Sequence, residues 1–222
     1  NKGKMSLETA ERAVEVALQS PVHHVTFEFQ GGEPLTNFDA IKHIILYSEE
    51  RSNDKEIDYS VVTNTLLIND EMISFFKDHN VSISTSLDGD KITHNNNRKN
   101  KTSKDTFDTV VENIGRIRQA GIPVGAIQTT TKNSLAHAND IVSTYTSLGL
   151  KCLFVRPLTP LGYANEHWDE IGYTTEEFLE FYEKVLTEVL EYNRKGCFLT
   201  EGHASIFLQK ILGHYSGHYM EV

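Results

Sequence analysis

Gly31-Gly32-Glu33-Pro34 closes a run, Val25-Thr26-Phe27-Glu28-Phe29-Gln30, that is rich in strand formers. Two adjacent glycines remove two side chains, so a ligand can approach bare backbone N–H and C=O groups. Glu33 sets an anion beside that backbone, which suits an ammonium group. Pro34 stops the strand from pairing further. The competing reading is a structural strand–turn–helix junction. Arg98 is a donor fork suited to clamping a carboxylate, or else a solvated loop arginine. Ser86, in Ser86-Leu87-Asp88-Gly89, and Asn64, in Thr63-Asn64, stand near the ends of two later strand-like runs. The competing reading of Ser86 is a pleat-facing serine on a half-polar strand, and that of Asn64 is turn chemistry. Gln128 is a polar residue inside a third run and reads as lining the mouth of a ligand site. Arg156 ends an otherwise apolar run, where it needs a partner. His214 and His218 have helical metal-ligand spacing, but Gly213 and Gly217 argue against a firm helix there and no third ligand is evident. Cys152 reads as a small buried hydrophobe, and nothing near Cys197 activates it. No metal ligand and no catalytic acid or base is assigned.

Residues of this kind need a scaffold that delivers strand ends to one place. Ser6 can cap a helix through about Gln19, with Leu7, Ala10, Val14, Ala17 and Leu18 on one face. Asn37 caps a second helix, carrying Phe38, Ile41, Ile44 and Ile45. Ile57–Thr63 reads as a strand, Asp70–His79 as a helix and Val81–Leu87 as an alternating strand. The polar stretch 90–104 reads as a long loop. Phe107, Val110, Val111, Ile114 and Ile117 define a helix that Gly121 can end. Ile122–Thr130 is a strand, Ser134 opens a helix to about Leu148, and Leu150–Val155 is a strand. Thr174 with Glu177 has capping-box spacing ahead of Phe178, Phe181, Val185 and Val189, and a last helix falls near Ala204–Leu212. Five strands separated by helices argue a parallel sheet with helices outside. Such α/β folds place their ligand sites past the carboxyl ends of strands.

The 222-residue chain, of 25.1 kDa, fits one α/β barrel-like domain. Its net charge of −10, with Arg98-Lys99-Asn100-Lys101 and Lys104 as the nearest thing to a basic run, disfavours nucleic-acid binding. No apolar stretch nears the roughly 20 residues needed to cross a bilayer. Two isolated cysteines suggest no disulfide framework and a reducing cytoplasm.

Gly31-Gly32-Glu33-Pro34 resembles the amino-group-binding motif of radical S-adenosylmethionine (SAM) enzymes. Thr63-Asn64, Ser86-Leu87-Asp88-Gly89, His94-Asn95 with Arg98, and Arg156-Pro157-Leu158 with Pro160 and Gly162 match that family in order, so the resemblance covers almost the whole chain. It implies a partial (β/α)6 TIM-like barrel. It also implies a SAM site using Gly31, Gly32, Glu33, Pro34, Asn64, Ser86, Arg98 and Gln128, with Ser86 toward the ribose or carboxylate and Asn64 toward the ribose. The family holds a [4Fe–4S] cluster on three closely spaced cysteines. Only Cys152 and Cys197 are present, so the chain reads as a fragment whose first strand and cluster loop precede Asn1. Residues 1–195 form the expected core, and 196–222 lead toward an auxiliary-cluster (SPASM-like) extension. Within the family the motifs look most like the peptide- and protein-modifying maturases, and among those the His-Xaa-Ser system maturases. The implied partners are a peptide or protein substrate, a reductant for the cluster and a neighbour at an open sheet edge, with no nucleic acid and no membrane. Two other readings stand beside it: a non-catalytic SAM- or peptide-binding scaffold, and an unrelated barrel enzyme such as an aldolase. A Schiff-base enzyme would want a lysine at a strand end, and Lys151 sits at a strand start.

Overall fold

The computed structural model describes residues 3–98 and 105–213. His214, His218, the basic run beyond Arg98 and the end of the 196–222 segment lie outside the described residues. The elements are α1 (Leu7–Leu18), β1 (His24–Phe29), α2 (Phe38–Arg51), β2 (Glu56–Thr63), α3 (Asp70–Asp78), β3 (Ser82–Ser86), α4 (Lys91–Asn97) and α5 (Phe107–Gln119). They continue with β4 (Val124–Thr129), α6 (Ala138–Ser147), β5 (Cys152–Arg156), α7 (Tyr163–Glu166), α8 (Trp168–Ile171), α9 (Thr175–Arg194), β6 (Thr200–Glu201) and α10 (Gly202–Leu212). The chain is α/β, with one open sheet in chain order from β1 to β6. The five expected strands are present. The sixth, β6, has two residues, too few for any period to reveal it; it pairs parallel with β5.

Two compact units are present, residues 1–85 with 112–124, and residues 86–111 with 125–222. In the first, β1 pairs parallel with β2, and β2 with β3. Phe29, Val61 and Ile83 align across the three strands and are buried, and so are Tyr59 and Phe76 in the same core. Their neighbours Glu28, Ser60 and Ser82 align on the opposite face and are at least partly exposed. The two-residue period therefore separates an apolar, helix-covered face from a polar one. In the second unit β4 pairs parallel with β5, and Leu153, Val155, Ile141, Val142 and Tyr145 are buried.

Helix starts follow side-chain caps. Ser6 Oγ accepts from Thr9 N–H at 3.2 Å, and Asn69 Oδ1 from Met72 N–H at 2.9 Å. Thr174 and Glu177 form the expected capping box. Several expectations are corrected. Leu7 is exposed, because α1 buries only Ala10 and Val14. Asn37 precedes α2 but makes no side-chain cap. A 3-10 turn, Pro34–Asn37, comes first, and the Asn37 amide donates to the Met5 carbonyl. Residues 91–97 are α4 rather than loop, capped by Asp90, whose Oδ1 accepts from Thr93 N–H at 3.1 Å. Ser134 lies in a 3-10 turn, Lys132–Ala136, and α6 starts after it. Cys152 is exposed, since it opens β5 on the side opposite Leu153. Arg156 ends β5 exposed, so solvent serves it and no buried partner is required.

Candidate functional site: two carboxylate-tied strand ends

In the first unit, β1 ends at Phe29 and the chain turns through Gly31 and Gly32, both exposed. A Cβ built on either glycine meets no atom within 4 Å, so the outer side of the turn is open space. Glu33 folds back beneath it. Its Oε1 accepts from Leu35 N–H at 3.0 Å and from Thr63 Oγ1 at 2.7 Å. Its Oε2 accepts from Asn64 N–H at 3.0 Å. One carboxylate thus caps the turn after β1 and ties it to the end of β2. With three protein donors spent on it, little acceptor capacity remains. Asn64 Oδ1 is also engaged, accepting from Leu66 N–H at 2.9 Å. Thr65 follows at φ +59°, an uncommon conformation for a β-branched residue. It is held by Thr63 Oγ1, which accepts its N–H at 3.0 Å, and by Asn113, whose amide donates to its carbonyl at 3.0 Å. The sequence-predicted Gly31, Gly32, Glu33, Pro34 and Asn64 are therefore brought together.

In the second unit, Ser86 ends β3, half-buried, two residues before Asp88. Asp88 is 1% exposed. Its carboxylate accepts from Arg98 Nε at 2.8 Å, from Arg98 Nη2 at 3.0 Å and from Thr129 N–H at 2.9 Å. Arg98 Nη2 also reaches Thr129 Oγ1 at 3.3 Å. The Asp88 N–H donates to Nδ1 of His94 at 3.2 Å, and Nε2 of the same ring meets Thr106 Oγ1 at 3.1 Å. Accepting at Nδ1 leaves the proton on Nε2, so the ring is neutral. Burial pushes its pKa down to about 4. Asn95 Oδ1 accepts from Thr106 and Phe107 N–H, capping α5. Tyr145 donates to the Leu87 carbonyl at 2.7 Å, and burial pushes its hydroxyl pKa well up. Gln128 is fully buried. Its Oε1 accepts from Thr130 at 2.9 Å, and its Nε2 has no partner among the described residues. Adjacent strand residues point to opposite faces, so Arg98 reaches Thr129 and is set apart from Gln128.

Sequence reasoning missed Thr63 as the hydroxyl beneath Glu33, and the commitment of Asp88 to Arg98 and Thr129. The second had a signal, since Asp88, His94 and Arg98 stand in one short motif. Among the described residues no group of three or more His, Cys, Asp or Glu is placed to hold a metal ion. No helix of the described residues is long and apolar enough to cross a membrane.

Residues 1–135 match the family model of the radical SAM superfamily. A cysteine-type anaerobic sulfatase-maturating enzyme of Clostridium novyi (strain NT) is 28% identical over 167 residues, covering 74% of this chain and 45% of that enzyme. The chain thus spans about half the length of that curated relative. The solved structure of native anSMEcpe with bound AdoMet and Kp18Cys peptide superposes on 95% of this chain and 59% of that one, with TM-score 0.87 and 23% identity. Streptococcus suis SuiB bound to the precursor peptide SuiA covers 90% of this chain and 42% of that one, with TM-score 0.65 and 15% identity. Both likenesses are of fold.

Proposed function

The chain belongs to the radical SAM superfamily, and from that premise we propose that it is the SAM-binding core of an enzyme that modifies a ribosomally made peptide or protein. The observation that carries the binding step is the open glycine turn. Gly31 and Gly32 leave their backbone uncovered on one side, while Glu33 fixes the other side to Thr63 and Asn64. The ammonium of SAM suits the exposed carbonyls of that turn. Asn64, in the same unit, suits a ribose hydroxyl as a polar partner. In the second unit, taken by itself, the Arg98 guanidinium suits a carboxylate and Ser86 suits a hydroxyl. Gln128, buried on the other face of β4, belongs to this set only through its unpartnered Nε2.

In the radical SAM family a [4Fe–4S] cluster held by three thiolates would supply the electron for radical chemistry on bound SAM. The cluster does not fit the donors of this chain. Three thiolates are needed and the sequence has two cysteines, one opening β5 and one after α9. What these residues do is therefore bind and orient SAM. A peptide substrate is supported by relatives named as sulfatase-maturating enzymes and by a neighbour of similar fold bound to its precursor peptide. The motif likeness to His-Xaa-Ser maturases narrows it to a ribosomally made chain.

Titrating SAM into the protein tests the binding step. Gly32→Val should leave the melting temperature near that of wild type, because its Cβ meets nothing, yet weaken SAM by about tenfold or more. Wild-type affinity in that variant would reduce the motif to a structural turn.

A further inference from the structure

The second unit contains a buried polar knot, and the SAM reading uses only its outermost member, Arg98. We infer that Asp88 is a positioning residue for ligand binding, presetting the Arg98 guanidinium so that its remaining edge meets the carboxylate of SAM. This rests on the SAM-binding reading above.

The geometry assigns each donor. A guanidinium has five N–H groups in a planar fork. Asp88 and Thr129 engage the Nε and Nη2 edge. The donors left for a ligand are those of Nη1. The Arg98 side chain is 31% exposed and that of Asp88 2%, so the pair has a buried end and an accessible one. Asp88 cannot bind ligand itself, because its two oxygens face Arg98 and the Thr129 N–H. An arginine free on a loop loses rotamer freedom when it grips an anion; one already held bidentately has lost much of it beforehand. Asp88 is fixed in turn. Its own N–H is held by His94, and its carboxylate is tied to the end of β4. The motif His94-Asn95-x-x-Arg98 thereby has a division of labour. His94 holds Asp88, Asn95 caps α5, and Arg98 faces outward.

A double-mutant cycle on SAM affinity, read by calorimetric titration, tests the inference. Asp88→Asn and Arg98→Met should each weaken SAM about tenfold or more. Because Asp88 acts through Arg98, Asp88→Asn in the Arg98→Met background should cost less than about twofold. Losses that multiply would overturn the inference and leave Asp88 a general structural role. Unchanged affinity in Arg98→Met would also overturn it, and the glycine-turn reading would still stand if Gly32→Val loses binding. No SAM uptake by the wild-type protein would sink both. If Asp88→Asn does not fold, Arg98→Lys decides. The ammonium keeps the charge but cannot pair bidentately with Asp88 while donating to a ligand, so affinity should fall about tenfold, and undiminished affinity would refute a preset fork.

Discussion

Replacing Glu33 with Gln is the sharpest test of how the glycine turn is built. The carboxylate accepts three hydrogen bonds, two at Oε1 from Leu35 N–H and Thr63 Oγ1 and one at Oε2 from Asn64 N–H. A glutamine with its oxygen at the Oε1 position keeps the first two. Its NH2 group then faces the Asn64 N–H, donor against donor. One charge-assisted bond is lost, worth about 1.5–3 kcal/mol. Glu33 and Asn64 are only partly buried, so water recovers some of this and the lower half of the range applies. For a chain of this size each kcal/mol moves the melting temperature by about 2–4 °C, giving a fall of roughly 3–9 °C. Circular dichroism melts without any ligand measure it. Arg194→Ala, which removes an exposed i,i+3 pair with Glu191, serves as the control and should shift the melt by less than about 2 °C. A Glu33→Gln melt indistinguishable from wild type would refute the view that the carboxylate holds the two strand ends. Glu33 would then be free to serve as a direct ammonium ligand.

Gly89 lies at φ +132°, and a Cβ there would come within 2.8 Å of the Ile141 side chain, so Gly89→Ala should cost about 1–3 kcal/mol and lower the melt by roughly 2–12 °C. The buried His94 gives stability a pH dependence. Its pKa is lowered to about 4 in the folded state, so the unfolded chain takes up the proton first as pH falls. Stability should be full above about pH 6.5 and decline by up to about 3 kcal/mol toward pH 4. Urea denaturation at both pH values measures this, and His94→Gln should flatten the difference. Anaerobic reconstitution of this 222-residue chain with iron and sulfide should yield no stoichiometric [4Fe–4S] cluster by Mössbauer spectroscopy, because two cysteines cannot supply three thiolates.

Much of the fold was legible because local chemistry and period agree. Ser6, Asn69 and the Thr174–Glu177 box mark helix starts, and Val81-Ser82-Ile83-Ser84-Thr85 alternates as a strand must. Residues 91–97 were not legible as a helix, since Lys91-Ile92-Thr93-His94-Asn95-Asn96-Asn97 has no apolar stripe. What holds α4 is the Asp90 cap together with the burial of Thr93 and His94. For the site, the sequence carried the glycines and the polar residue types, but not their partners. Glu33 meets Thr63 and Asn64 some thirty residues on, and nothing local to either segment announces the pairing. Gln128 was placed by type alone. Which face of β4 it occupies depends on register with β5, where it aligns with buried Val155.

The same device recurs at three strand ends. Glu33 accepts the Asn64 N–H past β2, Asp88 accepts the Thr129 N–H of β4, and Glu201 accepts the Val155 N–H of β5 as well as capping α10. For protein engineering this means that a strand with its following loop is not a portable cassette. Moving Gly31-Gly32-Glu33-Pro34 into another scaffold without a Thr63 and Asn64 to receive it would transplant a carboxylate with nothing to grip. Loop exchange between relatives has to move residues in cross-strand sets, acid with hydroxyl and amide, or the recipient inherits the letters of the motif without its shape.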